Sequence, residues 1–329
     1  MGHTRTKTIT AELAGPLDRA VRGLFGISWG KARDWISAGK VRLCAEIVTE
    51  PTTPTTAGNE IVFEETARRP RSVGLTDDSV VYADAHLVVV AKPAGISTVP
   101  YEGDELSGRP AARAIPGKAS PMGDTLESRV RAWLERRPTG SSAGRPNLGV
   151  VQRLDKETSG LIVFTRTWLA KRALASQFRR HSVHRLYLAI AHGDVQTGTI
   201  RSVLIADRGD GLRGSARGGT AGGRPAVTHV ERLEALQGAT LVACRLETGR
   251  THQIRIHLSE GGHPIVGDRV YVRRYAGPLI DAPRMMLHAS ELGFVHPVTE
   301  RPMRWQLPMP DDMRRTLQGL AALTGRRKC

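Results

Sequence analysis

Between residues 150 and 164 the chain leaves a short apolar pair, Val150-Val151. It crosses the polar stretch Gln152-Arg153-Leu154-Asp155-Lys156-Glu157-Thr158-Ser159-Gly160 and re-enters apolar sequence at Leu161-Ile162-Val163-Phe164. Apolar runs this short, separated by turn-forming residues, are too brief for an ordinary helix or a membrane span and read as buried strands joined by a loop. The segment therefore demands a sheet and brings a polar loop carrying Asp155 to its edge. A second continuous apolar strand, Leu87-Val88-Val89-Val90-Ala91, is stopped by Lys92-Pro93-Ala94-Gly95. Further strands are expected around 186–191, 227–234 and 240–247. Helices are expected from Asp124, with Glu127 at capping-box spacing and Leu126, Val130 and Leu134 as its stripe, and over 169–180, with Leu169, Ala173, Leu174 and Phe178 facing inward. Strands outnumber helices and many join through turns, so the expected fold is α+β, built on a mixed, largely antiparallel sheet.

A length of 329 residues favours two domains. Residues 15–65 form a small basic α+β unit. Leu17, Val21, Leu24 and Phe25, then Ala32, Trp35 and Ile36, recur at helical spacing, and Ser28 stands as an N-cap between the two groups. Val41-Arg42-Leu43 and Ile61-Val62-Phe63 read as short strands, and Arg19, Arg22, Lys31, Arg33, Lys40 and Arg42 make the unit basic. Residues 66–76 read as a linker, 77–312 as the main domain and 313–329 as a C-terminal tail. Stretches 101–123 and 138–149 are turn-rich, and 207–225 is a Gly/Arg-rich hairpin or loop.

The charge balance points to the partner. Lys and Arg number 48 against 32 Asp and Glu, a net charge of +16, which favours a polyanion, most often nucleic acid. Three scattered cysteines, Cys44, Cys244 and Cys329, form no CxxC pair, so neither a disulfide framework nor a zinc knuckle is expected. No apolar leader opens the chain and no apolar run approaches a membrane span, so the expected location is the cytoplasm, with no membrane partner.

Two clusters carry chemistry. A carboxylate such as Asp155, in a loop between apolar strands, can serve as nucleophile or general base, or simply form a turn. Arg153 points to the same side if the segment is extended. The second cluster, Gly249-Arg250-Thr251-His252-Gln253-Ile254-Arg255-Ile256-His257-Leu258, places Thr251, Gln253, Arg255 and His257 on one side and Arg250, His252, Ile254 and Ile256 on the other if it forms a regular strand. It reads either as a basic strand touching phosphates or as the source of an arginine that pairs with Asp155, since a nearby cation favours a carboxylate. His252 and His257 lack metal-ligand spacing, and no metal is expected.

These residues resemble the RluA-type pseudouridine synthases. The 152–161 segment resembles the family's HRLDxxTSG motif, with Gln152 where the family has His; Gln hydrogen-bonds but does not titrate. Val89-Val90-Ala91-Lys92-Pro93-Ala94-Gly95 resembles the first family motif, Arg185-Leu186-Tyr187-Leu188-Ala189 the Lys-x-Tyr-x-Ala segment, and 249–258 the GRTHQIRVHL segment, continued by His263-Pro264-Ile265-Val266-Gly267-Asp268. The 17–63 unit resembles the αL-type RNA-binding module that precedes many of these enzymes, although Val41-Arg42-Leu43-Cys44-Ala45-Glu46 lacks the usual Val-Asn-Gly turn.

The resemblance implies an RNA pseudouridine synthase without a cofactor. Asp155 is the implied essential residue, Arg255 its ion-pair partner, and Tyr187 the residue that packs on the target base and helps remove the C5 proton. Arg153 is implied to enter the RNA stack as the uridine flips out. Gln152, Arg250, His252 and Gln253, with Lys31 and Arg33 of the N-terminal unit, are expected to contact RNA, and Lys92 and Pro93 to support the site. The expected substrate is large-subunit ribosomal RNA and the expected state a monomer. The alternatives are a tRNA synthase or a catalytically silent RNA-binding protein of the same fold.

Overall fold

The computed structural model describes residues 4–49, 51, 53–67, 74–100, 124–137, 148–216 and 222–325. The 101–123 stretch, most of 138–149 and the centre of the 66–76 segment lie outside them. The chain divides into two compact units, Met1–Gly74 and Leu75–Cys329.

The first unit contains β1 (Thr4–Thr8), β2 (Gly15–Pro16), α1 (Leu17–Phe25), α2 (Trp29–Ser37), β3 (Val41–Leu43), β4 (Glu46–Ile47), β5 (Pro54–Thr55) and β6 (Glu60–Glu64). An antiparallel sheet of order β1-β6-β3-β4 packs Val41, Ile61 and Phe63 against Leu17, Ala20 and Val21 of α1 and Ala32 and Ile36 of α2. Ser28 caps α2 by accepting the Lys31 amide at 3.3 Å, and Gly26, at φ 63°, ends α1 in the left-handed region. The β3–β4 hairpin turns on Cys44 and Ala45, at φ 49° and 71°. Two left-handed residues are what a two-residue hairpin with the strands' own twist requires, and here β-carbon-bearing residues supply them where Asn-Gly is the usual choice.

The second unit is organised by a mixed sheet. Its elements are β7 (Val80–Ala83), β8 (Leu87–Lys92), α3 (Leu126–Glu135), β9 (Gly149–Val150), β10 (Ser159–Thr165), α4 (Trp168–Arg179), β11 (His184–His192), β12 (Gly198–Ile205), β13 (Gly214–Ser215), β14 (Arg224–Leu236), β15 (Ala239–Leu246), α5 (Gln253–Glu260), β16 (Leu287–Val295), β17 (Pro302–Gln306) and α6 (Asp311–Gly325). The strand order is β13-β12-β14-β15-β11-β16-β10-β8-β7, with β17 on β16 and β9 on β10. Among the named strands of the described residues only β10 and β16 pair in parallel. The fold is α+β on a mixed, largely antiparallel sheet.

Strand alternation sorts the core into two layers. Val88, Val90, Ile162 and Phe164 join Leu126 and Val130 of α3 in one cluster, which also holds Tyr187. Leu87, Val89, Leu161 and Val163 join Ala170 and Leu174 of α4 in the other. Gly160, at φ 119°, sits so close to the Ala289 backbone of β16 that a β-carbon would collide with it, and Tyr187 of β11 pairs with the same Ala289. This close approach sets β10, β16 and β11 side by side where the 151–158 loop emerges.

Four expectations are corrected. The GRTHQIRIHL segment is not a strand: β15 ends at Leu246 and α5 begins at Gln253. All of Gln253, Ile254, Arg255, Ile256, His257 and Leu258 are buried, so the helix has no polar face for a helical period to reveal. Residues 313–325 are not a tail but part of α6, whose Met313 and Leu320 are buried and whose Asp312 takes two hydrogen bonds from Arg284, at 2.6 and 2.9 Å. The α3 capping box is Thr125 with Ser128, one residue later than the expected pair, and α4 turns Ala170, Leu174 and Gln177 inward while Leu169 stays exposed.

Candidate active site

The loop that carries Asp155 is fixed through its backbone. The Lys92 ammonium, buried at the end of β8, donates to the carbonyls of Lys156 at 2.9 Å, Thr158 at 2.7 Å and Pro93 at 3.0 Å. Burial pulls Lys92 down to about 7, against the opposing pull of the Glu157 and Asp155 carboxylates. The Thr98 hydroxyl donates to the Leu154 carbonyl at 2.9 Å and accepts the Leu154 amide at 3.1 Å, and the Gly95 amide donates to Lys156 O at 2.9 Å. Positions 154, 156 and 158 are thus tied down on the turn after β8, and the Asp155 side chain is left at the surface of the loop, 22% exposed.

Arg255, in the first turns of α5, reaches this carboxylate: its Nη1 donates to Asp155 Oδ2 at 3.2 Å. The guanidinium is held from behind by Asp268, which takes Nε at 2.7 Å and Nη2 at 3.0 Å, and by the Tyr271 ring 4.9 Å beneath it. Asp268 also accepts the amides of Val270 and Tyr271, at 2.8 and 3.1 Å. Burial penalises the Asp268 carboxylate, but the Arg255 hydrogen bonds and charge and the two amides outweigh it and hold its pKa below the usual range. Burial likewise works against the Arg255 charge and is overcome by Asp268 and then Asp155, which raise its pKa.

His252 completes the surroundings. It occupies the left-handed region at φ 59° just before α5, which aims Nε2 at Asp155 Oδ1, 3.9 Å away, while Nδ1 meets the Tyr271 hydroxyl at 2.9 Å. Burial, first, and the Arg255 charge lower its pKa, with Asp155 and Asp268 pulling the other way, so the imidazole is neutral at pH 7. Tyr187 is buried on β11, its hydroxyl without a hydrogen bond among the described residues; burial raises its pKa, Arg185 opposes this and the Asp155 charge adds to it.

The sequence-derived candidates therefore separate. Asp155, Arg255 and His252 converge, and Tyr187 lies within the field of Asp155. Arg153 is exposed beside them, and Gln152 is half-buried with its Nε2 unpartnered among the described residues. Lys92 is buried, and Pro93 contributes its carbonyl to it. Arg250 donates to Pro225 O at 3.1 Å. Gln253 is a correction. Its amide oxygen accepts from Thr248 Oγ1 at 2.7 Å and Arg250 N at 3.0 Å, and its nitrogen donates to Val227 O and Thr228 Oγ1, both at 3.0 Å. It is buried with its hydrogen-bonding groups engaged, so it joins α5 to β14 and has no donor or acceptor to offer RNA. Lys31 and Arg33 are exposed in the first unit, where Arg33 pairs with Asp18 at 2.8 Å.

Two residues escaped sequence reasoning as members of the site, Asp268 and Tyr271. Asp268 follows Gly267 in a turn and accepts two nearby amides, which is the ordinary appearance of a turn-forming aspartate. His257 points away from Asp155, between Ser202 Oγ at 2.9 Å and Thr228 Oγ1 at 2.8 Å. Among the described residues no group of three or more His, Cys, Asp or Glu is arranged to hold a metal ion.

A family model described as RNA pseudouridylate synthase matches residues 86–260, from the strand bearing Lys92 to the helix bearing Arg255. The chain is 36% identical to the ribosomal large subunit pseudouridine synthase D of Xylella fastidiosa over 98% of its own length and 93% of the relative's. The chain belongs to the RluA-type pseudouridine synthases. A second synthase D, from Xanthomonas campestris, is 36% identical over 89% of this chain and 85% of that one. Among solved structures, human RNA pseudouridylate synthase domain containing 4 shares the fold, with a TM-score of 0.55 and 21% identity over 74% of this chain and 93% of that one. As a pseudouridine synthase, the protein is an RNA isomerase, and the carboxylate–guanidinium pair stands inside the segment matched by the family model.

Proposed function

We propose that the protein converts uridine to pseudouridine in large-subunit ribosomal RNA, with Asp155 as the catalytic carboxylate. The observation that carries this reading is the Arg255–Asp155 contact of 3.2 Å at a loop clamped on both sides of Asp155. The substrate assignment is supported by relatives named for the large ribosomal subunit, which align over nearly the whole chain.

In this reaction the N1–C1′ bond breaks, the uracil turns while bound, C5 joins C1′, the C5 proton leaves and N1 gains a proton, so that no atom is gained or lost overall. The nucleotide must first leave its stack, at a cost of a few kcal/mol, and exposed Arg153 is placed to fill the gap. Arg255 orients the Asp155 carboxylate, and the Asp268 pairing prevents that guanidinium from turning away. Tyr187, with its raised pKa, is a neutral phenol at pH 7, which suits packing against the base more than taking a proton unaided.

The first unit serves in this reading as an αL-type RNA-binding module. Its exposed cations lie over its aromatic rings, with Lys31 5.5 Å from the Trp35 centroid and Arg22 and Arg33 at 5.2 and 5.7 Å from that of Trp29. The enzyme acts as a cytoplasmic monomer and needs no cofactor.

Pseudouridine mapping of total RNA from cells lacking the gene, against cells complemented with it, tests the substrate. Loss of signal at discrete large-subunit uridines, with tRNA unchanged, is the expected result; loss confined to tRNA would replace the assignment.

A further inference from the structure

The large sheet carries a separate core cluster on each of its two faces. Tyr187 belongs to the layer of Ile162 and Phe164, whereas α4 packs on the opposite side, against Leu161 and Val163. Between residues 158 and 193 the sequence contains no Asp or Glu but carries Arg166, Lys171, Arg172, Arg179, Arg180 and Arg185. With Ala170, Leu174 and Gln177 turned inward, α4 presents Lys171, Arg172 and Arg179 to solvent, and Arg180 follows at its C-terminus. Trp168 is exposed there to 65% and Leu169 to 47%, and the Arg172 guanidinium lies 4.8 Å from the Trp168 ring centroid.

Beside this face runs an open groove of about 770 Å³ between α4 and residues 295–300, lined by Leu169, Arg172, Arg179, Arg180 and Val295, with Glu300 as its acidic member among the described residues. The groove is rigidly built. Gln177 donates to Val295 O at 2.7 Å and accepts the Val295 amide at 2.9 Å, which joins the helix to the end of β16.

We infer that this face is a second RNA-contacting surface, which binds a single-stranded segment of the RNA outside the reacting nucleotide. An excess of cations, three arginines against Glu300 in the groove, selects a polyanion, and an exposed indole beside a planar guanidinium selects one that carries flat, stackable rings. A membrane surface fits less well, because α4 already uses its apolar stripe on Leu161 and Val163. The inference rests on the RNA-modifying reading above and adds to it a site on the far side of the sheet from Tyr187.

The test uses the full-length chain and a single-stranded oligouridylate carrying 4-thiouridine and fluorescein. Photo-crosslinking followed by peptide mapping is expected to place a crosslink in the α4 peptide, lost in Trp168→Ala. Anisotropy is expected to show affinity about fivefold weaker in Trp168→Ala. In Arg172→Ala/Arg179→Ala/Arg180→Ala the slope of log affinity against log salt should be shallower by about 2, as for three lost single-strand phosphate contacts. Single-turnover rates at saturating RNA should equal wild type in both variants. Absence of the α4 crosslink, or an unchanged salt slope, overturns the proposal. So does reduced sedimentation with phosphatidylglycerol vesicles while RNA affinity stays at the wild-type value. Binding and crosslinking need no turnover, so a wild-type protein that crosslinks through α4 but forms no pseudouridine would refute the enzymatic reading and leave this surface standing.

Discussion

Asp268 grips Arg255 through two hydrogen bonds, of 2.7 and 3.0 Å, and leaves Nη1 of the same guanidinium for Asp155 at 3.2 Å. One arginine is thus shared between a fully buried carboxylate and a partly exposed one. Asp268→Asn removes the charge that anchors the arginine and leaves a buried cation with a weaker partner. Unfolding free energy should fall by about 3 kcal/mol, and single-turnover rate by about a hundredfold as Arg255 loses its aim. Denaturant titration alongside tritium-release kinetics measures both. A stable variant with wild-type rate would remove Asp268 from the arrangement.

Tyr271 supports both neighbours of Asp155, with its ring beneath Arg255 and its hydroxyl against His252 Nδ1. With the imidazole neutral, a hydroxyl donating to Nδ1 puts the proton on Nε2, the nitrogen that faces Asp155. Tyr271→Phe keeps the ring and deletes this bond, a loss of about 1 kcal/mol or about fivefold in kcat. KM should stay unchanged. Nitrogen-15 spectra of the imidazole should show Nε2–H in the wild type and mixed tautomers in the variant; an Nδ1–H wild type would contradict this account.

Lys92 acts on the Asp155 loop from below. Lys92→Met deletes the donor to Lys156 O, Thr158 O and Pro93 O, although Lys156 O keeps the Gly95 amide. The buried Thr158 carbonyl is left without this donor, a cost of about 1 kcal/mol or more, while the Pro93 carbonyl belongs to an exposed residue. The variant should show a lowered melting temperature and a reduced kcat, with RNA affinity preserved. Equal loss of affinity and kcat would mean that the lysine acts on RNA rather than on the loop.

Acid should destabilise the second unit before carboxylates titrate. Burial pushes His257 and His288 down to about 4, against an ordinary value of 6.5. Between these limits the unfolded chain binds protons that the folded chain does not, so stability falls as pH drops from about 6.5 to about 4. Urea titrations across this range should show the decline, and His288→Gln should make it shallower. A flat profile would mean that both rings protonate in place.

What the sequence reveals depends on whether a residue's surroundings are local. The strand–loop–strand around Asp155 and the apolar run ending at Lys92 are legible because alternation and short apolar runs are local signals. The α5 helix is not, since every residue from Gln253 to Leu258 is buried and the string reads equally well as a strand. Leu169 departs from the stripe its spacing suggests because helical period alone does not say which of two adjacent stripes meets the sheet; the exposed position beside Trp168 emerges only from packing. Asp268 looks like a turn residue because it is one, and its second role depends on a guanidinium 13 residues away. The α6 helix packs Met313, Leu317, Leu320 and Ala321 into the main core at helical spacing, a local signal, whereas its tie to Arg284 comes from a distant loop that no local pattern reveals.

The central claim is that the Asp155 carboxylate performs the isomerisation. Attack on the sugar, attack on the base and removal of a sugar proton all require an ionised oxygen, which an amide does not supply. Asp155→Asn preserves shape and leaves the loop's backbone tethers in place. Tritium release from C5-labelled uridine RNA, measured beside circular dichroism and a gel-shift assay, decides the matter. The account predicts a folded variant that still shifts RNA and releases no detectable tritium; wild-type release from that folded protein would contradict it.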